Sequence, residues 1–502
     1  MWNLYITKRF KQFNGLITLV IYLCGIAHLL ACQDSTSAET APSEFTPLNS
    51  GASGLSLEEI LDAKSCQSCH PEHYAEWRAS VHAYASEDPV FQALNRLGQL
   101  ETDGELGDFC VQCHAPVAVA LKKTTDGLNL DSIPEQFQGI TCAYCHQITD
   151  IQGSHNNPLI WSNDGIMRGG IKNAKGNGAH ASAYSKHLDG SSFDSSALCG
   201  SCHDIVTPTN VHLEQTYLEW QSSFYSHPNR EQHASCNDCH MPKRSNTESS
   251  NIGTSNGSNT HHDHLMPAVD LVHNSEHGQA LLELNGRSLK KAIQDELNLS
   301  LLSEVCGEIG VNGGGEFELY LENVSAGHRF PSGAALDRRV WVEFLAFDHA
   351  GELVFESGQI TPEQAVDEYA KTDSFLWLLK DEAFNQQGSK SHRFWEIESV
   401  TRNTLPPSTL LSPLDPNYEE AHVMKRYRFA SERPVYEVQI RVFIRAIAYE
   451  LLQELIDLDL LSADFMNKQE TFEIEFAYQI WRADEAIMRR SLSGKSLLCT
   501  TL

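Results

Sequence analysis

The spacing of apolar residues divides the chain into two parts that follow different rules. From about residue 286 onward the apolar positions are periodic. Ser288–Val305 repeats with a helical period. Phe317, Leu319 and Leu321 alternate with polar residues, as in a half-buried strand. Val340–Phe347 predicts another strand; Asp348-His349-Ala350-Gly351 closes it and Leu353-Val354-Phe355 resumes it, which predicts a hairpin. Tyr436–Ile444 and Phe472–Tyr478 alternate in the same way, with a helix predicted over Ala446–Leu461 between them. Glu363–Phe384 also has a helical period and predicts an inserted helix. Residues 286–502 therefore read as a β-sandwich-like domain with helical insertions.

Residues 56–285 lack this regularity and are rich in Gly, Ser, Asn and Pro. Ser56 and Glu59 form a capping box ahead of Ile60 and Leu61, so order begins there with a short helix. Arg244–Asn259 predicts a mobile surface loop. Residues 32–55 hold Ser, Thr, Ala, Pro and Glu and few large apolar side chains, the composition of a flexible tether. The expected fold class is multidomain α+β. Its N-terminal part is mostly helical or irregular and is packed around something other than its own side chains.

The cysteines identify that packing material. Ten of the 14 fall in five motifs: Cys66-Gln67-Ser68-Cys69-His70, Cys110-Val111-Gln112-Cys113-His114, Cys142-Ala143-Tyr144-Cys145-His146, Cys199-Gly200-Ser201-Cys202-His203 and Cys236-Asn237-Asp238-Cys239-His240. At this composition chance gives about 0.02 such motifs per chain. Zinc and thioredoxin-like sites use Cys-x-x-Cys but do not require the following His in every copy. Covalent haem does: two thiols form thioethers to the porphyrin, and the adjacent imidazole becomes the proximal iron ligand. The sequence thus predicts five haem c groups attached at Cys66, Cys69, Cys110, Cys113, Cys142, Cys145, Cys199, Cys202, Cys236 and Cys239. The iron ligands are His70, His114, His146, His203 and His240. Haem then forms the core of residues 56–285. Thirteen further histidines between 73 and 277 could supply distal ligands. An iron with imidazole on both faces is saturated and suits electron transfer, whereas an open face can bind a substrate.

The N-terminus sets the compartment. Lys8, Arg9 and Lys11 precede an apolar stretch, Leu16–Leu30, that is short for a membrane span. Leu29-Leu30-Ala31-Cys32 resembles a bacterial lipobox, which makes residues 1–31 a lipoprotein signal peptide and Cys32 the acylated first residue. Gln33, not Asp, follows, and by resemblance to lipoprotein sorting rules this favours the outer membrane. Loss of the leader would take the net charge from −29 to about −32. Such a surface excludes nucleic acid and leaves other redox proteins or envelope electron carriers as expected partners, with the membrane met through the lipid. Cys306 and Cys499 read as separately buried thiols. A disulfide is the alternative in an oxidising compartment, and it needs Cα atoms within about 7 Å.

Over residues 60–350 the chain resembles multihaem cytochromes with a cytochrome c554-type haem domain. Glu76-Trp77-Arg78-Ala79-Ser80-Val81-His82 follows the first motif, and in that family the Trp-x-x-Ser-x-His segment supplies a distal ligand. The resemblance therefore makes His82 a ligand. It implies the same for His180 in Gly178-Ala179-His180, and for His264 in His264-Leu265-Met266-Pro267, a later His that caps a haem from across the fold. His187 is a fourth candidate, while His261 and His262 read as solvated loop residues. Glu219-Trp220-Gln221-Ser222-Ser223 repeats the first theme, but Tyr225 stands where His82 would recur, so that ligand comes from elsewhere or is absent. Gly327-His328-Arg329-Phe330-Pro331-Ser332-Gly333 resembles a turn found after haem domains in related proteins. His328 reads as capping a strand end there; the alternative is that it faces a haem or a partner.

The functional expectation is electron transfer by a lipid-anchored pentahaem cytochrome of the cell envelope. The alternative is a pentahaem reductase or oxidase of nitrogen or sulfur compounds at a haem with an open face. The Cys-x-x-Cys-Lys haem that marks pentahaem nitrite reductases is absent. A structural subunit docking through its β-domain is a third possibility.

Overall fold

A computed structural model describes residues 54–174, 178–227, 233–245, 260–273, 288–311, 313–407 and 422–500. The leader, Cys32, most of the tether and most of the Arg244–Asn259 loop lie outside the described residues. The chain from residue 52 onward forms one compact unit. Among the described residues no helix is long and apolar enough to cross a membrane.

The fold is mixed α and β, and the C-terminal part is a sandwich of two antiparallel sheets. One sheet runs His422–Phe429, Gly315–Asn323, Leu301–Ile309, Ser496–Cys499, Ile487–Arg490. The other runs Leu353–Ser357, Arg339–Phe347, Glu437–Arg445, Thr471–Glu473. Trp377–Leu379 pairs with Arg339–Phe347, and Gln479–Arg482 with Glu437–Arg445. Aromatic side chains from both sheets interleave between them: the Phe317 ring lies 5.9 Å from Phe344 and 5.0 Å from Trp481, and Phe344 lies 4.2 Å from Tyr427. The hairpin predicted from Val340 to Phe355 is present.

Three elements differ from expectation for physical reasons. The helix starting at Ser288 stops at Ser300 and a strand begins at Leu301. Leu297, Leu301 and Val305 are four apart, a spacing that keeps one face of either a helix or a strand. Glu363–Phe384 forms one turn of helix, Val366–Ala370, then two strands, Trp377–Leu379 and Glu382–Asn385. Asp373 ends the helix, its carboxylate accepting from Ser357 Oγ and the Gly358 amide at 2.8 Å. Phe472–Tyr478 is a strand only to Glu473; a 3-10 turn over Glu475–Ala477 follows, tied by the Glu475 amide to Asn298 Oδ1 at 2.9 Å.

Cys306 and Cys499 are joined in a disulfide, not separately buried. Antiparallel pairing places the two residues directly opposite in neighbouring strands, with Cα atoms 3.9 Å apart.

The N-terminal part consists of short helices and two-stranded ribbons. The capping box is formed: the Ser56 amide donates to Glu59 Oε2 at 2.7 Å, and the Glu59 amide to Ser56 Oγ at 3.3 Å.

Candidate functional site

Each Cys-x-x-Cys-His motif lies on or against a short helix: Ala63–Cys66, Val111–His114, Cys142–His146, Ser195–His203 and Cys236–His240. Two of these helices are capped just before the first Cys. Thr141 Oγ1 accepts from the Tyr144 amide, and Ser235 forms a capping box with Asp238. The helical turn sets both thiols and the imidazole on adjoining positions. Neighbouring motifs touch through their cysteines: Cys66 meets Cys142, Cys113 meets Cys202, and Cys199 meets Cys236. Tyr144 of the third motif donates to Asn157 Oδ1 at 2.8 Å, and the Asn157 amide donates to the Ser201 carbonyl of the fourth at 2.7 Å. The motifs are therefore linked in the order first, third, fourth, and from the fourth to both the second and the fifth.

Four motif histidines face a remote histidine. Ring centroids are 6.4 Å apart for His70 and His180, 6.1 Å for His203 and His82, 6.3 Å for His146 and His264, and 6.4 Å for His240 and His328. With a metal–nitrogen bond of about 2.0–2.1 Å and the centroid roughly 1.1 Å behind the nitrogen, two imidazoles on one metal sit about 6.3 Å apart. The residues present thus fit an iron between each pair. Distance alone does not discriminate, since His155 and His212 are also 6.1 Å apart. That pair has no cysteines, and His212 Nε2 looks toward Asp204 Oδ2 at 3.4 Å.

The ring orientations follow from hydrogen bonds on the other nitrogen. Nδ1 donates to a backbone carbonyl in His114 (Ala85, 2.9 Å), His146 (Arg168, 2.5 Å), His240 (Pro267, 2.8 Å), His264 (His262, 2.7 Å), His328 (Arg329, 2.8 Å) and His180 (Ala181, 3.1 Å). A proton fixed on Nδ1 leaves Nε2 bare for a metal. Burial, reinforced by neighbouring imidazoles, lowers His82 to about 3 and His203, His264 and His328 to about 4, which keeps them neutral. His240 differs. Burial lowers it, but the Glu296 carboxylate, 3.5 Å from Nδ1, outweighs this and raises it to about 9.

A zinc site would need several of these donors to converge. Among the described residues the one group of three candidate ligands is Glu304, Cys306 and Cys499, which contains the disulfide. Residues 65–147, which hold the first three motifs, match the family of cytochrome c554 and c-prime. Over those residues the chain is similar to multihaem c-type cytochromes. Covalently bound haem c goes with that family. No curated protein matches this chain. Its fold is similar to the crystal structure of a penta-heme cytochrome c552 from Thermochromatium tepidum, with TM-score 0.55 and 17% identity over 84% of this chain and 99% of that one.

Not every expected residue falls where the sequence suggested. The fold brings His82, His180 and His264 opposite motif histidines, but not His187. That ring is buried and its Nδ1 lacks a hydrogen bond. His328 does not cap a strand with its side chain. Its carbonyl accepts from Asn323 Nδ2 at 2.8 Å, and its ring lies parallel to that of His240. Its signal in the sequence was the Gly-His pair. A Cβ at Gly327 would crowd Trp220 and Tyr225 at 3.2 and 3.3 Å, so glycine lets His328 pass over them. Tyr225 itself donates to the Val324 carbonyl at 3.1 Å. His261 is not a solvated loop residue: it is buried, with Nε2 3.1 Å from Glu76 Oε1. The Glu76 side chain lies in the haem region, so the His261 imidazole gains a carboxylate partner in place of water. Among the described residues no histidine faces His114; Phe91 stacks flat on that ring, 3.9 Å away.

Proposed function

We propose that this cytochrome transfers electrons through five covalent haems, four of them ligated by two histidines: His70 with His180, His203 with His82, His146 with His264, and His240 with His328. The ring pairs at 6.1–6.4 Å carry this reading. Iron saturated by two imidazoles keeps its ligands on gaining an electron, so little reorganises and no substrate enters. The five motifs, and the similarity in fold to a penta-heme cytochrome, support the number five. The links between motifs give the haems a continuous route. In this reading the haems fill the space between the small apolar clusters of the aperiodic N-terminal part. Cys32 carries the lipid, the protein sits at the outer membrane, and other envelope redox proteins are its partners.

The second reading rests on His114. A haem there has no second imidazole among the described residues and can present an open face to nitrite, hydroxylamine or a sulfur oxyanion. The two readings separate by spectroscopy of the oxidised holoprotein, by electron paramagnetic resonance. Electron transfer alone predicts at most one high-spin haem and no steady-state turnover of those substrates. Turnover that disappears when the His114 haem pocket is altered would replace it with the enzyme reading. High-spin signals from several haems would refute the paired-histidine assignment.

A further inference from the structure

The segment Glu-Trp-x-x-Ser occurs at Glu76–Ser80 and again at Glu219–Ser223, and the chain uses both copies alike. Trp77 Nε1 donates to the Ile140 carbonyl at 2.7 Å, and Trp220 Nε1 to the Ala234 carbonyl at 3.0 Å. Each carbonyl lies two residues before the first Cys of a motif, Cys142 or Cys236. Ser80 Oγ and Ser223 Oγ each donate to the carbonyl of the preceding Trp at 2.7 Å.

The two glutamates reach in the other direction. Both are buried. Glu76 Oε2 accepts from the His264 amide at 3.0 Å, and His261 Nε2 lies 3.1 and 3.2 Å from its two oxygens. Glu219 Oε2 accepts from the Arg329 amide at 3.1 Å and from Ser332 Oγ at 2.6 Å. Each carboxylate therefore holds the backbone of a segment more than a hundred residues further along. Those segments carry His264 and His328, the histidines that face the third and fifth motifs. Trp and Glu of one copy thus grip both sides of a single haem site. The Trp holds the lead-in to the proximal ligand, and the Glu holds the chain bearing the distal one.

We infer that Glu76 and Glu219 are equivalent positioning residues, each docking the remote segment that supplies the distal ligand, to the third and fifth haems respectively. This rests on the paired-histidine reading above. A buried carboxylate accepting from backbone amides is a strong, directional hold, and its loss leaves those amides unpaired.

The test uses the full-length holoprotein with Glu76→Ala, Glu219→Ala and the matching Gln variants. Spin state is read by electron paramagnetic resonance with and without added imidazole. Each Ala variant should convert one haem of five from low to high spin, and imidazole should restore it. The Gln variants, which keep an acceptor oxygen, should remain low-spin. Should an Ala variant fail to mature, the Asp variant, one methylene shorter, is expected to show the same loss. Ala and Asp variants with unaltered low-spin signals and unchanged midpoint potentials would overturn the inference. So would loss of low-spin signal at several haems that imidazole does not restore. High-spin third and fifth haems in the unmodified protein would instead overturn the paired-histidine reading beneath it.

Discussion

Glu296 gives the fifth motif a feature that can be measured as a potential. It lies on the helix Leu289–Ser300, with Oε2 3.5 Å from His240 Nδ1. His240 Nδ1 donates to the Pro267 carbonyl at 2.8 Å, as Nδ1 of His114 and of His146 donates to other carbonyls, so the nearby carboxylate is what sets His240 apart. A carboxylate behind a ligating imidazole raises its basicity and favours the oxidised, more positive iron. Across the ring the carboxylate stands roughly 7–8 Å from the metal position, where a unit charge is worth about 2 kcal/mol at an effective dielectric near 20. Both side chains are about a third exposed (36% and 32%), so we halve this for solvent and salt screening to about 1 kcal/mol. For a one-electron couple that is about 40 mV. Glu296→Gln should therefore raise one midpoint potential by about 40 mV and leave the others in place. Spectroelectrochemical titration at low and high salt resolves this, and high salt should shrink the shift. Asp295→Asn on the same helix, which removes an exposed partner of Lys291, should change none of them. A potential that falls, or equal shifts in every haem, would refute the argument that Glu296 acts locally through His240.

Two further predictions concern the C-terminal sandwich. Reducing the Cys306–Cys499 disulfide, or replacing both cysteines with Ser, frees a chain separation of 193 residues and should cost about 2–5 kcal/mol in denaturant unfolding; a midpoint insensitive to reductant would contradict this. Glu318 should make the fold acid-labile. Burial opposes its ionisation, but Tyr320 Oη (2.6 Å), Ser493 Oγ (2.7 Å), Arg426 Nη2 (2.8 Å) and Ser491 Oγ (3.0 Å) outweigh that and hold it at about 2. Because the folded value is depressed, its stabilisation is present above the unfolded value near 4.5 and is lost as pH falls from there toward 2. The magnitude is about 3 kcal/mol at most. Glu318→Gln should lose stability at pH 7 and lack that part of the acid slope in denaturation curves.

The proximal half of each proposed haem site is written contiguously, because thioether attachment takes two thiols and an imidazole within five residues. It can be read without a fold. The opposite half is made by tertiary approach. His82, His180 and His264 could be singled out only through resemblance, and His187 was a candidate without one, because a histidine's own neighbours do not say what it will face. His328 was harder still. It lies in the sandwich part of the chain, where a Gly-His pair was its signal. The Cys306–Cys499 pairing was hidden for the same reason, since nothing local reveals which strands will be neighbours. Where the sequence misjudged elements, the pattern itself was degenerate, as with Leu297, Leu301 and Val305.

These misses share a cause that bears on how the protein is built. Trp77, Glu76 and His264, which surround the third motif, all come from the aperiodic region. The fifth motif takes its counterparts from both parts of the chain. Trp220 and Glu219 come from the haem region, while His328, Arg329, Ser332 and Glu296 come from beyond residue 286. A sandwich that contributes His328 opposite His240, the Glu296 carboxylate behind His240 and the partners of Glu219 is not an accessory to the N-terminal part. Arg393 of the sandwich, paired with Glu101 at 2.9 Å, and the packing of Val90, Ala93 and Leu97 on Leu451, Leu452 and Leu455 continue the junction toward the second motif. Residues on either side of 286 therefore bury shared apolar surface and shared charges, and separating them would expose both. The aperiodic half holds several small apolar clusters in place of one continuous core, such as Phe91 with Val111, Ala115, Ala118, Leu130 and Ile133. The sandwich packs on Val90, Ala93 and Leu97 and supplies the partners of Glu219, so it closes over the last of the motifs.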